Sequence, residues 1–320
     1  MINNSNLSNN IKVKEKRSAK TKPNKKINSS AATLMLLLAA IIWGSGFSAQ
    51  RAGMERLGPM TFAAVRFCVA AVALTIPVMI FRRRLRGGLK TALRETLGGG
   101  FICGFLLFAA SLAQQIGLVH ATSGKAGFIT ALYIVLTPIA GMLIGKRTGR
   151  FVWVAVGFAL AGMALMCIEP GFTIRQEDRW LMLCALIFTA QILAVDKYAP
   201  RSDGMLLSWI QVSVCAFFSV ISMFIWEDPI GQAASRDIFS SWLPIMYAGV
   251  MSCAAAYTLQ IYGQRGAHPT LASLMMSLEA VFAALFGWII LGEQMTGRQS
   301  IGAVILFAAT AAAALAGKPK

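Results

Sequence analysis

A chain of 320 residues with 57% hydrophobic and only 13% charged side chains lies far from soluble proteins, whose charged share is about 25%. With a mean hydropathy of +0.64, it reads as an integral membrane protein. The net charge of +17 raises nucleic acid as a partner, but the placement of that charge argues against one.

The first thirty residues, MINNSNLSNNIKVKEKRSAKTKPNKKINSS, are polar and rich in Asn, Lys and Ser, which predicts a disordered basic tail over 1–30. A cleaved leader is disfavoured, because a cut after Ala49 would put Phe47 at the minus-three position, where a small residue belongs. Apolar stretches of about 20 residues then follow at Thr33 to Gln50, Met60 to Phe81, Leu97 to Leu118, Gly124 to Gly145 and Phe151 to Ile168. Five more run from Trp180 to Val195, Met205 to Trp226, Trp242 to Tyr262, Thr270 to Leu291 and Gln299 to Ala316. Every backbone amide in hydrocarbon must be paired, and runs this long suit helices, whereas barrel strands would be shorter and would alternate. The expected fold class is therefore an all-α membrane protein with ten transmembrane helices. The longest connector, Glu227 to Ser241, leaves no room for a soluble catalytic domain.

Of the 30 Lys and Arg, 22 fall on the side of the two termini, seven on the opposite side, and Arg66 lies within a span. The positive-inside rule makes both termini cytoplasmic, as an even number of spans requires. The charge is a topology signal, and a basic tail near anionic lipid is its corollary.

Two sequence echoes divide the chain. LML recurs at Leu34 and Leu181, and the TGR of GKRTGR returns in GEQMTGR 148 residues later. Two five-helix halves are expected, over 31–168 and 169–320. Because five is odd, the halves enter the membrane from opposite sides, giving two inverted repeats of the kind that secondary transporters use to exchange inward-open and outward-open states.

The runs AAIIWGSGF, VRFCVAA, TSGKAGFITALYIVLTPIAG and SLEAVFAALFGWIILGE resemble the EamA branch of the drug/metabolite transporter superfamily, over roughly Thr33 to Ala316. The resemblance implies a 5+5 inverted-repeat fold around a central cavity. It also implies transport, often outward, of small metabolites such as amino acids or nucleobases.

Glu279 is the sharpest candidate, nine residues into an otherwise apolar run and so about 14 Å along its helix. A charged carboxylate there costs about 2.5–3.5 kcal/mol, so it should face a cavity or a partner. Two roles stand open for it: a substrate-amine or proton site, or a structural carboxyl bonded to a neighbouring helix. Tyr133 sits 146 residues earlier, at comparable depth. Arg66 either snorkels along its stem, binds a substrate carboxylate with its planar fork, or pairs with Glu279 as a gate. Gln114, Gln115, Gln191, Gln211, Thr258 and Gln260 are neutral polar groups that either bind a zwitterion or glue helices together. Trp43, Tyr133 and Tyr257 are candidates for an aromatic wall, with Trp288 as an interfacial belt residue. Ser45 lies between Gly44 and Gly46 in WGSGF. Small residues at Gly100/Gly104 and Gly141/Gly145 suggest close helix contacts. Pro138 with Gly141, and Gly287 at the matching place, suggest loosened backbone. Lys125 is expected to snorkel, with an attraction for anions as its functional version.

Metal and hydrolytic chemistry lack their parts: there is no HExxH or GxSxG, only His120 and His268, and the six cysteines lie in spans without CxxC spacing. No cofactor, no metal and no enzymatic activity are expected. The reading is a secondary transporter in a bacterial inner membrane, exporting a small polar or zwitterionic metabolite, an amino acid or a related compound, by alternating access. Its expected partners are that small molecule, membrane lipid and protons as coupling ion. A flippase for a lipid-linked compound is the alternative, and an intramembrane enzyme a weaker one.

Overall fold

The computed structural model describes residues 27–85, 88–121, 123–168, 178–227, 237–291 and 294–316. The basic tail up to residue 26 and the side chains of His120, Lys125 and Cys167 lie outside the described residues. The helices are α1 (Ser29–Met54), α2 (Pro59–Phe81), α3 (Gly88–His120), α4 (Ser123–Thr130), α5 (Tyr133–Leu143) and α6 (Arg150–Cys167). After them come α7 (Asp178–Tyr198), α8 (Gly204–Trp226), α9 (Trp242–Gln264), α10 (Pro269–Met276), α11 (Glu279–Leu291) and α12 (Gly297–Ala316). No strand occurs among the described residues. Nine spans there are long and apolar enough to cross a membrane, with α4 and α5 forming one of them and α10 and α11 another, while α6 is a shorter apolar helix. Large apolar side chains such as Val72, Ile76, Phe101, Phe158 and Val304 are exposed on the outside of the bundle, where a bilayer would cover them.

The packing exchanges the halves. α1 lies on α11 and α9, while its counterpart α7 lies on α5 and α3; α2 lies on α9 while α8 lies on α3. α2 also packs on α8, and α6 on α12, so these pairs map onto themselves. Such cross-packing is what two related halves of opposite orientation produce when each completes the other's core.

Close crossings are set by glycine. A Cβ on Gly162 would stand 2.6 Å from the Gly302 carbonyl oxygen, and one on Gly302 would stand 2.4 Å from the Gly162 carbonyl oxygen, so α6 and α12 touch backbone to backbone. On α3, Gly104 likewise meets the Gln211 carbonyl of α8, and Gly100 the Ile210 side chain. The Gly141/Gly145 pair does not. Gly145 has φ +81° and ends α5 in the left-handed cap that favours glycine, with its own N–H bonded to Met142 O and the Lys146 N–H bonded to Gly141 O.

Candidate functional site

Two spans break in the middle. Between α4 and α5 the chain tightens into i→i+3 bonds, Leu132 N to Ile129 O at 3.3 Å and Ile134 N to Ala131 O at 2.9 Å. Between α10 and α11 the same happens, with Leu278 N to Met275 O at 3.3 Å and Ala280 N to Ser277 O at 3.1 Å. Ser277 contributes by turning its hydroxyl onto Leu274 O at 2.8 Å, the side-chain competition that loosens helices. The loosened backbone is therefore at 131–132 and 277–278, not at Pro138, Gly141 or Gly287. Immediately after each break come Tyr133 and Glu279, the first residues of α5 and α11. The Tyr133 hydroxyl donates to Glu279 Oε1 at 3.0 Å, both groups being buried.

This pair borders a cavity between the halves, lined by α1, α2, α3, α5, α7, α9, α10 and α11. Its volume is about 50 Å³, room for a few waters at about 10–15 Å³ each. Trp43 and Tyr257 form one wall, ring centroids 5.0 Å apart and tilted by 58°. The indole N–H of Trp43 donates to Ser252 O at 3.1 Å. That carbonyl belongs to Tyr247–Ala256, a π-helical segment inside α9, a geometry often found at functional sites. Gly249 on this segment leaves no room for a Cβ, which would come 2.9 Å from Arg66 O.

Arg66 is only 3% exposed, so it does not snorkel. Its guanidinium carbon lies 5.1 Å from the Phe67 ring centroid and 5.6 Å from that of Phe62, stacking that suits a planar cation. Nε has no hydrogen-bond partner, and no ion pair joins Arg66 to Glu279 among the described residues. Both border the cavity, groups of opposite character without an ion-pair partner among the described residues.

The other candidates divide. Trp43, Gln114, Tyr257 and Gln260 line the cavity; Ser45, Gln115 and Gln191 do not. The Ser45 hydroxyl bonds Ile41 O, Ile42 O and the Tyr247 hydroxyl. Gln115 Nε2 reaches Met54 Sδ at 3.4 Å, and Gln191 bridges Gln260 and Gln211. Thr258 meets Ser208 at 2.7 Å and Ala254 O at 2.7 Å, which makes it glue between α8 and α9. Trp288 is exposed, as a belt residue should be. Sequence reasoning missed Gln50, a cavity residue with an unpartnered Oε1; it ends the first predicted span, where an amide looks like an interfacial boundary.

At the end of the bundle where α1 begins and α12 ends, Lys146 of the first half pairs with Asp196 of the second, and the Thr148 and Thr270 hydroxyls meet at 3.1 Å. Arg265 donates to the carbonyls of Ala199 and Ser202. At the opposite end Glu227 accepts from Met60 N, Thr61 N and Thr61 Oγ1, filling the orphan donors that begin α2. Asp196 lies one residue past the predicted span Trp180 to Val195, and no spacing tied it to Lys146.

Among the described residues no group of His, Cys, Asp or Glu could hold a metal ion. The model of the EamA-like transporter family matches residues 30–168 and 177–315. An uncharacterized transporter of Archaeoglobus fulgidus is 29% identical over 87% of this chain and 84% of its own. The uncharacterized inner membrane transporter YedA of Escherichia coli K12 is 26% identical over 84% of this chain and 86% of its own. A "Probable terminal-alkyne amino-acid exporter" of Streptantibioticus cattleyicolor is 27% identical over 49% of this chain and 52% of its own. One crystal structure shares the fold, with a TM-score of 0.74 at 19% identity, covering 90% of this chain and 98% of that one.

Proposed function

The chain belongs to the EamA-like transporter family, and from that premise we propose that it moves a zwitterionic metabolite, an amino acid or a close relative, by alternating access. The observation that carries the reading is Arg66. A guanidinium this buried, without an anionic partner among the described residues, invites the carboxylate of a ligand, whose planar geometry its fork fits. Glu279, held by Tyr133 across the two halves, takes the ammonium, and Trp43 with Tyr257 receives the side chain. The kinship with a relative named as an amino-acid exporter agrees with this class and with outward movement.

With α6 counted as a tenth span, both termini lie on one side in this reading, and the excess of Lys and Arg there supports the cytoplasmic side of a bacterial inner membrane. The cavity described above is contracted, and rocking at the two matched breaks opens it toward either side. Proton coupling runs through Glu279, which exchanges a proton for the substrate ammonium.

Metabolite profiling of medium from cells producing the wild-type chain tests this reading against cells producing equal amounts of Glu279→Gln. A zwitterion class accumulating with wild type alone supports it. Equal accumulation in both returns Glu279 to a structural role. Transport of the identified compound with an unchanged rate and pH profile in Glu279→Gln removes proton coupling.

A further inference from the structure

Three glutamines from three helices make a chain of amides at the cavity wall. Gln260 of α9 donates through Nε2 to Gln191 Oε1 of α7 at 3.1 Å, and Gln191 Nε2 donates to Gln211 Oε1 of α8 at 3.1 Å. All three residues are at most 1% exposed. The two ends are open: Gln260 Oε1 and Gln211 Nε2 have no partner. Only Gln260 borders the cavity. Among the described residues no fourth group bonds to these amides, so nothing outside the chain sets its direction.

The oxygen and nitrogen of a primary amide occupy nearly the same space, and the terminal torsion of glutamine is roughly two-fold. A half-turn of all three amides leaves every heavy-atom position occupied and reverses both hydrogen bonds, with Gln211 donating to Gln191 and Gln191 to Gln260. The number of bonds is unchanged. What changes is the unpartnered atom of Gln260, the residue that borders the cavity: Oε1, an acceptor, in one direction, and Nε2, a donor, in the other.

We infer that Gln260 is a specificity-determining residue of reversible polarity, whose direction the substrate side chain selects through the Gln191–Gln211 chain. The inference rests on the cavity being the substrate site. A side chain with a donor, such as an indole N–H, meets the orientation described above. One with an acceptor, such as a sulfoxide, draws the chain into the reverse, because a ligand shifts an equilibrium toward the state it binds better. Arg66 and Glu279 hold the common zwitterion through fixed charges, while the neutral amides leave the rest of the ligand variable. One cavity can thereby serve several amino-acid-like compounds.

Gln191→Glu locks the chain. A carboxylate at 191 accepts from both neighbours, so Gln260 turns Nε2 toward it and shows the cavity only Oε1. Dissociation constants are measured on the purified full chain for two matched pairs. L-tryptophan against 3-benzothienyl-L-alanine removes a donor, and L-methionine sulfoxide against L-methionine removes an acceptor. Wild type is expected to prefer the polar member of both pairs. Gln191→Glu should keep the preference for tryptophan and lose about tenfold for the sulfoxide. Gln211→Glu, which accepts from Gln191 and imposes the same direction from the far end, should reproduce the pattern if the first variant fails to fold. Equal changes for both pairs, or a wild type that prefers only the donor member, overturn the inference while leaving the zwitterion site intact. Binding of none of the four compounds by wild type overturns that site and the inference with it.

Discussion

The broken helix of the first half and that of the second reach the middle of their spans with one backbone and two chemistries. Both interrupt an α-helix with i→i+3 bonds, at 131–132 and at 277–278, and both restart on a side chain that enters the same cavity. The first half supplies Tyr133 and the second Glu279, joined at 3.0 Å. A repeat conserves the hinge while its contents diverge, and the junction of the halves becomes a single buried donor–acceptor pair. A carboxylate on each side would take away the hydroxyl donor, and a tyrosine on each would leave the site without a carboxyl group.

The largest expected effect comes from removing that asymmetry. Tyr133→Glu places a second carboxyl against the first, taking away the donor of Glu279 and adding a buried group with no partner. Leaving a buried acceptor without its donor in this way costs about 1–3 kcal/mol, and more for a charged group. The thermal midpoint of the purified chain should fall and transport should be lost. The exchange Tyr133→Glu with Glu279→Tyr rebuilds one donor and one acceptor across the same breaks, and should recover much of the lost midpoint. A double variant no more stable than Tyr133→Glu alone would show that the surroundings, not the pair, distinguish the two halves.

The surroundings do differ. α11 of the second half is pressed onto α1 at Gly44, where a Cβ would stand 2.4 Å from Phe282 Cβ and 2.9 Å from Glu279 O. On the first half's broken helix, Gly127 of α4 meets nothing within 4 Å. Gly44→Ala therefore forces backbones apart next to Glu279, for about 1–3 kcal/mol, while Gly127→Ala should stabilise its helix by about 0.5–1 kcal/mol. Thermal midpoints of the two variants in one detergent decide the matter, and shifts of the same sign would remove the contrast.

How far this was legible depends on the kind of signal. Glu279 announced itself because a carboxyl is conspicuous in an apolar run, and the displacement between halves led from it to Tyr133. The all-helical membrane bundle followed from hydrophobic lengths, but which helices cross-pack between the halves did not. The breaks were not legible: Pro138 and Gly287 drew attention as familiar breakers, whereas the turns are made by Ala131, Leu132, Ser277 and Leu278, of which only Ser277 carries a hint. The π segment Tyr247–Ala256 was invisible because one more residue in a turn leaves no mark on composition. The glutamines could be named as a set, but the order in which Gln260, Gln191 and Gln211 bond depends on which helices touch.

The smallest expected effect separates the two ends of the bundle. At the end where α1 begins and α12 ends, burial and the neighbouring Lys146 cation hold His268 below its ordinary value of 6.5, and burial also lowers Lys146. Asp196, paired with Lys146, is the acid facing this cluster, and Arg147 and Arg265 line the same recess as His268. His268 Nδ1 accepts from Thr270 N at 3.4 Å, a bond that only the neutral ring can accept. A histidine whose folded value is depressed binds protons less readily folded than unfolded. Its contribution is therefore complete above about 6.5, begins to be lost as pH falls through the unfolded value, and is gone below the folded one. The thermal midpoint should accordingly drop on acidification below pH 6.5, and His268→Asn, which keeps a short capping side chain, should flatten that part of the profile. No such flattening is expected from Glu227→Gln at the opposite end, where the partners are backbone amides and a hydroxyl. A slope near pH 6 that survives His268→Asn would move the titrating group elsewhere in the chain.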